Sequence, residues 1–155
     1  MKTNIFSLKL DDDKNVALVK ESPISYQSKG MRPDAVVSML EDVFDIKHLA
    51  QEHVYLICMR SDCSYAGIFE LSRGSIDMSL VDVREIMCRV LLLNAVSFIV
   101  VHNHPSGCVL PSKQDIVVAQ KIYDAGKILN LKLDDFIITG DGYYSFHKEG
   151  RIPLE

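Results

Sequence analysis

The sequence predicts an α/β fold in which a mixed β-sheet is covered by helices. Three observations carry this reading. Apolar runs of strand length alternate with segments of helical periodicity through the middle of the chain. The chain closes on two strand-like runs joined by Gly140-Asp141-Gly142, a hairpin signal. A length of 155 residues, 48% apolar and 25% charged, suits one soluble domain with its own core.

Each element has its own signal. Residues 1–30 are polar around one strand-like patch, Val16-Ala17-Leu18-Val19, and are punctuated by Pro23 and Gly30. They read as an N-terminal strand and an extended arm. Pro33-Asp34 opens a helix, with Val36, Val37, Leu40, Val43 and Phe44 at i, i+3, i+4 spacing. Residues 54–59 form an unbroken apolar run, a central strand, and residues 66–71 its neighbour across a turn at Ser61-Asp62. Residues 82–93 place Val83, Ile86, Met87, Val90 and Leu91 on one helical face. Residues 96–101 are a buried strand, 112–129 a long amphipathic helix, and 133–139 and 143–146 the closing strands. Tyr143, Tyr144 and Phe146 read as packing rather than as base-stacking platforms.

Charge narrows the function. Seventeen Lys and Arg against 21 Asp and Glu give a net charge of −4, with the basic residues scattered. Proteins that live on phosphate contacts carry a basic excess or stripe, so DNA binding has no support from charge. The apolar run at residues 95–101 is far below the roughly 20 residues a bilayer needs, and no membrane association is expected. Asp11-Asp12-Asp13 precedes any apolar stretch of signal-peptide length, so a reduced cytoplasm is the expected compartment. Cys58, Cys63, Cys88 and Cys108 are then free thiols, with Cys58 and Cys88 expected as small core residues. Cys58-x4-Cys63 lacks the second pair a structural zinc site would need.

The informative stretch is His102-Asn103-His104-Pro105-Ser106-Gly107, where the buried strand ends. Residues two apart on a strand point to the same side, so His102 and His104 present two imidazoles to one point and Asn103 faces away. Asp115, eleven residues after His104, falls in the first turn of the next helix. Two neutral imidazoles and one carboxylate are a normal ligand set for catalytic zinc, with water in fourth place. Ser112-x-x-Asp115 is also close to a capping box, and the two roles are compatible.

The run His102-x-His104-Pro105 followed by Ser112-x-x-Asp115 resembles the JAMM motif of the JAB/MPN metalloprotease domain. The wider run through Gly107, with Pro111-Ser112 and Asp115, is similar to the RadC branch of that family. Arg84-Glu85, Asn94-Ala95, Tyr144-Ser145-Phe146, Gly150 and Glu21-Ser22-Pro23 extend the likeness over nearly the whole chain. The resemblance implies a JAB/MPN, cytidine-deaminase-like fold, as a single RadC-like domain over residues 1–155 with the motif at 102–115. This would be a short form without the helix-hairpin-helix region. It also implies Zn2+ on His102, His104 and Asp115. Ser112 would hydrogen-bond the tetrahedral intermediate or orient the water. Glu52, at the head of the 54–59 strand, would be the catalytic base, preferred over Glu70 within the next strand and Glu85 on a helix.

Other residues are weighed beside these. His48, His53 and His147 have no partner spacing, although His53 adjoins Glu52. Arg73-Gly74-Ser75 reads as a turn near the pocket. Cys108 occupies a loop position that is commonly acidic in the family; four residues after His104, it reads as a competing ligand, a redox-sensitive thiol or, the favoured reading, an incidental loop thiol. Asp134-Asp135 stands where RadC-like domains usually carry Asp-His, which puts a contact there in doubt.

Two functions are consistent with these residues. One is a JAMM-type zinc metallohydrolase cleaving a peptide or isopeptide bond in a peptide or protein substrate, with a ubiquitin-like or other tail among the candidates. The other, by association alone, is a RadC-like accessory protein in DNA repair or mobile-element biology with a weak or unused catalytic site. A homo-oligomer is left open.

Overall fold

A computed structural model describes residues 3–24, 30–74 and 81–151. Among the described residues, seven strands form one mixed sheet: β1 (Thr3–Leu10), β2 (Val16–Ile24), β3 (His53–Met59), β4 (Tyr65–Arg73), β5 (Ser97–Asn103), β6 (Lys132–Thr139) and β7 (Tyr143–Ser145). Their spatial order is β2-β1-β4-β3-β5-β6-β7. β5 and β6 are parallel and joined by a helical crossover, whereas β3 is antiparallel to both β4 and β5. The described helices that cover the sheet are α1 (Pro33–Phe44), α2 (Val83–Leu92) and α3 (Lys113–Ile128). This is the α/β fold with a mixed sheet that the periodicities predict.

The sheet divides the core in two. On one face, Leu56 and Cys58 of β3 and Phe98 and Val100 of β5 pack with Ile86 and Val90 of α2 and Val118 and Ile122 of α3. On the other, Tyr55, Ile57, Ile99 and Val101 pack with Val36, Met39 and Leu40 of α1. Strand alternation produces this division: even-numbered residues of β3 and β5 face α2 and α3, and odd-numbered ones face α1. The central strands therefore read as unbroken apolar runs because both faces are covered. Burial follows the same plan, with all seven residues of β3 and all seven of β5 buried.

Several local expectations change. The N-terminal segment is a hairpin of two strands rather than one strand and an arm. Phe6 and Leu8 of β1 and Leu18 of β2 pack against the α2/α3-side core, and Asp11 accepts the Lys14 amide in the turn. A 3-10 turn over Ile46–His48 follows α1, entered through Asp45 at φ +53, and buries Ile46. Cys88 is exposed on α2, not in the core, because Ile86, Met87 and Val90 take the inward positions; Cys58 is buried as expected. Tyr144 and Phe146 pack edge-to-face, as packing residues should. Among the described residues, no helix is long and apolar enough to cross a membrane.

Candidate metal centre

β5 runs two residues past the buried stretch expected for it, so His102 lies within the strand and His104 just beyond its end. Both have even parity and face α3, with ring centroids 4.7 Å apart and planes nearly perpendicular. β6 holds this end of β5, because the His104 amide donates to the Thr139 carbonyl at 2.8 Å. The loop that follows is backed by glycines. Gly107 adopts φ +84, its carbonyl accepts the Asp141 amide at 2.8 Å, and a Cβ on Gly140 would collide with Gly107 backbone.

Asp115 enters from the first turn of α3. Ser112 is the N-cap, and both halves of a capping box are present: the Asp115 amide donates to Ser112 Oγ at 3.1 Å, and the Ser112 amide donates to Asp115 Oδ2 at 2.7 Å. Asp115 nevertheless reaches the histidines. Its Oδ1 lies 3.9 Å from His102 Nε2 and its Oδ2 3.8 Å from His104 Nε2. Capping and facing the imidazoles thus coexist in one carboxylate. Ser112 accepts a bond here, so its own O–H remains able to donate.

Glu52 precedes β3 and shares the parity of Val54, which pairs with His102 across the β3–β5 ladder. Its Oε2 stands 3.7 Å from His102 Nε2. The structure therefore brings Glu52, His102, His104, Asp115 and Ser112 to one end of the sheet. Glu70 and Glu85 are elsewhere: Glu70 binds His53 and Arg73, and Glu85 binds Arg89. His53 does not line the centre. Its odd parity turns it to the opposite face, where Nδ1 meets Glu70 Oε1 at 2.7 Å and the ring stacks on Tyr55.

The electrostatics suit a cation. His102 is 2% exposed, and burial, with His104 adding to it, pushes its pKa down from 6.5 to about 4. It is a neutral imidazole at pH 7. His104 Nδ1 lies 2.7 Å from the Cys108 carbonyl, which only accepts, so Nδ1 carries the hydrogen and a neutral ring keeps its lone pair on Nε2. Burial pushes the Glu52 carboxyl above its ordinary range, with Asp115 adding to the rise and His104 opposing it. Glu52 Oε2 is buried without a hydrogen-bond partner. The carboxylate oxygens of Glu52 and Asp115 thus face the Nε2 atoms of His102 and His104, and all of these atoms are of a type that can hold a cation. Among the described residues, Glu52, His102 and His104 each offer an atom within 4.8 Å of the others. Asp115 stands within 4 Å of each histidine on the α3 side.

Comparison with known proteins places this geometry. A family model described as the RadC-like JAB domain matches residues 31–151. The chain belongs to the RadC-like JAB domain family. It is 35% identical over 120 residues to a UPF0758 protein of Thermotoga maritima, a stretch covering 77% of this chain and 54% of that one. It is 36% identical over 108 residues to one of Clostridium acetobutylicum (69% and 47%) and 38% over 106 residues to one of Porphyromonas gingivalis (67% and 47%). The chain spans about half the length of the curated relatives it matches. The RadC-like match begins after the β1–β2 hairpin and includes all five residues of the centre.

The departure at Asp134-Asp135 has a structural explanation in this RadC-like domain. Asp134 is the extra residue of a β-bulge between β5 and β6, and Asp135 is buried beyond it. Asp135 accepts the Ser145 hydroxyl at 2.5 Å, the Phe136 amide at 2.8 Å and the His147 amide at 3.0 Å. It latches the β7 end internally. Of Arg73-Gly74-Ser75, Arg73 ends β4, Gly74 turns at φ +98 and donates to the Glu52 carbonyl at 2.9 Å, and Ser75 lies outside the described residues. Cys108 is exposed, and its carbonyl rather than its thiol touches His104.

Two further features of the site lie outside the motif. Asn103, which faces away from the histidines, bonds the backbone on both sides of Glu52. A groove of about 470 Å3 opens beside His104, lined by Lys47, His48, Thr139, Gly140 and Asp141 among others. Asn103 was detectable as a polar residue where strand parity demands an apolar one. The groove depends on the 3-10 turn and had no sequence signal.

Proposed function

We propose that this chain is a zinc-dependent hydrolase that cleaves a peptide or isopeptide bond with activated water. The observation that carries the proposal is the clustering of Glu52, His102 and His104, whose ligand atoms lie within 4.8 Å of one another, with Asp115 within 4 Å of both histidines. His102, His104 and Asp115 would hold the metal. Imidazole and carboxylate without thiolate is a donor set that suits a catalytic zinc with an open position. Bound zinc supplies a Lewis acid and lowers the pKa of water to about 7.

The chain's own groups supply the rest. Glu52, with a carboxyl raised by burial, takes the proton of the attacking water and returns it to the leaving amine. The Ser112 hydroxyl donates to the oxyanion that forms on the former carbonyl. Asp115, held by the capping box, keeps its carboxylate oriented without a rotamer search at each turnover. The groove beside His104 is the approach for an extended peptide or tail.

The test is cleavage of a library of peptides and lysine isopeptides by the zinc-loaded protein. The wild type is expected to cleave a member. Glu52→Gln should retain zinc and lose at least about 100-fold in rate. Cleavage that persists unchanged in Glu52→Gln would contradict the assignment.

A further inference from the structure

Asn103 sits between the two histidines and points to the opposite face of the sheet, where its strand neighbours Ile99 and Val101 are apolar. It is 3% exposed. A polar side chain in that position is unfavourable unless its bonds are made. Both ends of its amide are used. Oδ1 accepts the His53 amide at 2.6 Å, and Nδ2 donates to the Gln51 carbonyl at 3.1 Å. These two backbone groups belong to the residues on either side of Glu52. The backbone ladder between β3 and β5 has its last pair at Val54 and His102. From there the Asn103 side chain supplies the bonds that backbone would have supplied. Gly74 holds the remaining group, donating to the Glu52 carbonyl at 2.9 Å.

We propose that Asn103 is a positioning residue: one side-chain amide clamps both residues flanking Glu52 and so fixes the Glu52 carboxylate against the imidazoles on the other face of the sheet. The histidines and the clamp occupy consecutive residues of one strand. Their strand therefore sets the distance between Glu52 and His102 from both sides. This rests on reading Glu52 as the base of a metal-dependent site, and it adds a residue that touches neither substrate nor metal.

Two readouts test it, one of which needs no metal. In the metal-free protein, Asn103→Ala should speed exchange of the His53 amide by at least about tenfold while the amides of Tyr55 to Cys58 keep their protection. Unchanged His53 exchange would overturn the clamp. With cobalt(II) alone as the probe, the visible spectra of Asn103→Ala and Glu52→Gln should depart from wild type in the same way, and the double variant should match Glu52→Gln. A wild-type spectrum in Asn103→Ala beside an altered one in Glu52→Gln would overturn the positioning role. If wild type takes up no cobalt, the metal reading fails, and amide exchange still decides the clamp. Should Asn103→Ala not fold, Asn103→Ser, too short to span both partners, serves in the same comparisons.

Discussion

The Glu52 carboxylate faces His102 Nε2 at 3.7 Å with its Oε2 buried and without a hydrogen-bond partner. The relationship is unfavourable for the metal-free fold, because a carboxylate oxygen is held out of water with no hydrogen-bond partner. Its consequence can be measured directly. Replacing Glu52 with Gln removes the buried charge and leaves an amide that can donate to or accept from His102 Nε2. The metal-free protein should therefore gain about 0.5–1 kcal/mol, read as a rise in the urea midpoint in the presence of a chelator. A loss of stability would mean that the carboxylate has a partner of its own.

Asp115 has two duties that substitutions can separate. Asp115→Asn keeps an acceptor for the Ser112 amide but loses the charge facing the histidines. It should melt near the wild-type temperature and bind zinc at least about tenfold more weakly. Ser112→Ala removes the cap and should cost about 1 kcal/mol, with zinc still bound. Paired calorimetric melts and zinc titrations check both. Equal effects of the two variants on zinc would show that the cap, not the charge, matters.

Acid should weaken the metal-free fold through His102. Its pKa falls from 6.5 to about 4 on folding, so the unfolded chain binds the extra proton. The contribution of His102 is complete above pH 6.5 and is lost as pH falls toward about 4, a total on the order of 3 kcal/mol. Glu52 and Asp135 run the other way. Their carboxyls are raised, so the folded state holds their protons more tightly and they favour the fold as pH falls. The difference between wild type and His102→Gln across this window isolates the histidine. Its stability advantage over the variant should shrink from pH 6.5 to 4, and parallel curves would contradict the assignment.

Much of the site is visible in residue spacing. His102 and His104 share a face because a strand has a period of two, and Asp115 follows from the turn length and the cap signal. Glu52 was visible through the family resemblance, but its even parity with Val54 and the pairing of Val54 with His102 give a physical reason that needs no family. Other features depend on contacts distant in sequence. Nothing near Asn103 indicates that Gln51 and His53 stand beside it. β1 lies outside the patch expected as the N-terminal strand, although Phe6-Ser7-Leu8-Lys9-Leu10 alternates apolar and polar as a strand does, and its partner across the sheet, β4, is some 60 residues away. Cys88 was misplaced because a helical face about 100° wide does not admit every apolar residue near it.

Asp135 is a latch, and its substitutions should sort by hydrogen-bonding capacity. Asp135→Ala leaves the Ser145 hydroxyl and the Phe136 and His147 amides without their acceptor, and should cost about 2–4 kcal/mol. Asp135→Asn can accept from the amides and donate to Ser145, and should stay within about 1 kcal/mol of wild type. Urea unfolding distinguishes them. Equal losses would show that the charge is needed.

The central claim is that the two histidines and their facing carboxylates form a metal centre. Zinc titration of the chelator-treated protein at neutral pH, with metal analysis after dialysis, tests it most directly. Wild type should retain one equivalent of zinc and melt at a higher temperature with it, and His102→Ala should retain none while remaining folded. A wild-type protein that keeps no zinc after repletion, or a His102→Ala variant that keeps a full equivalent, would contradict it.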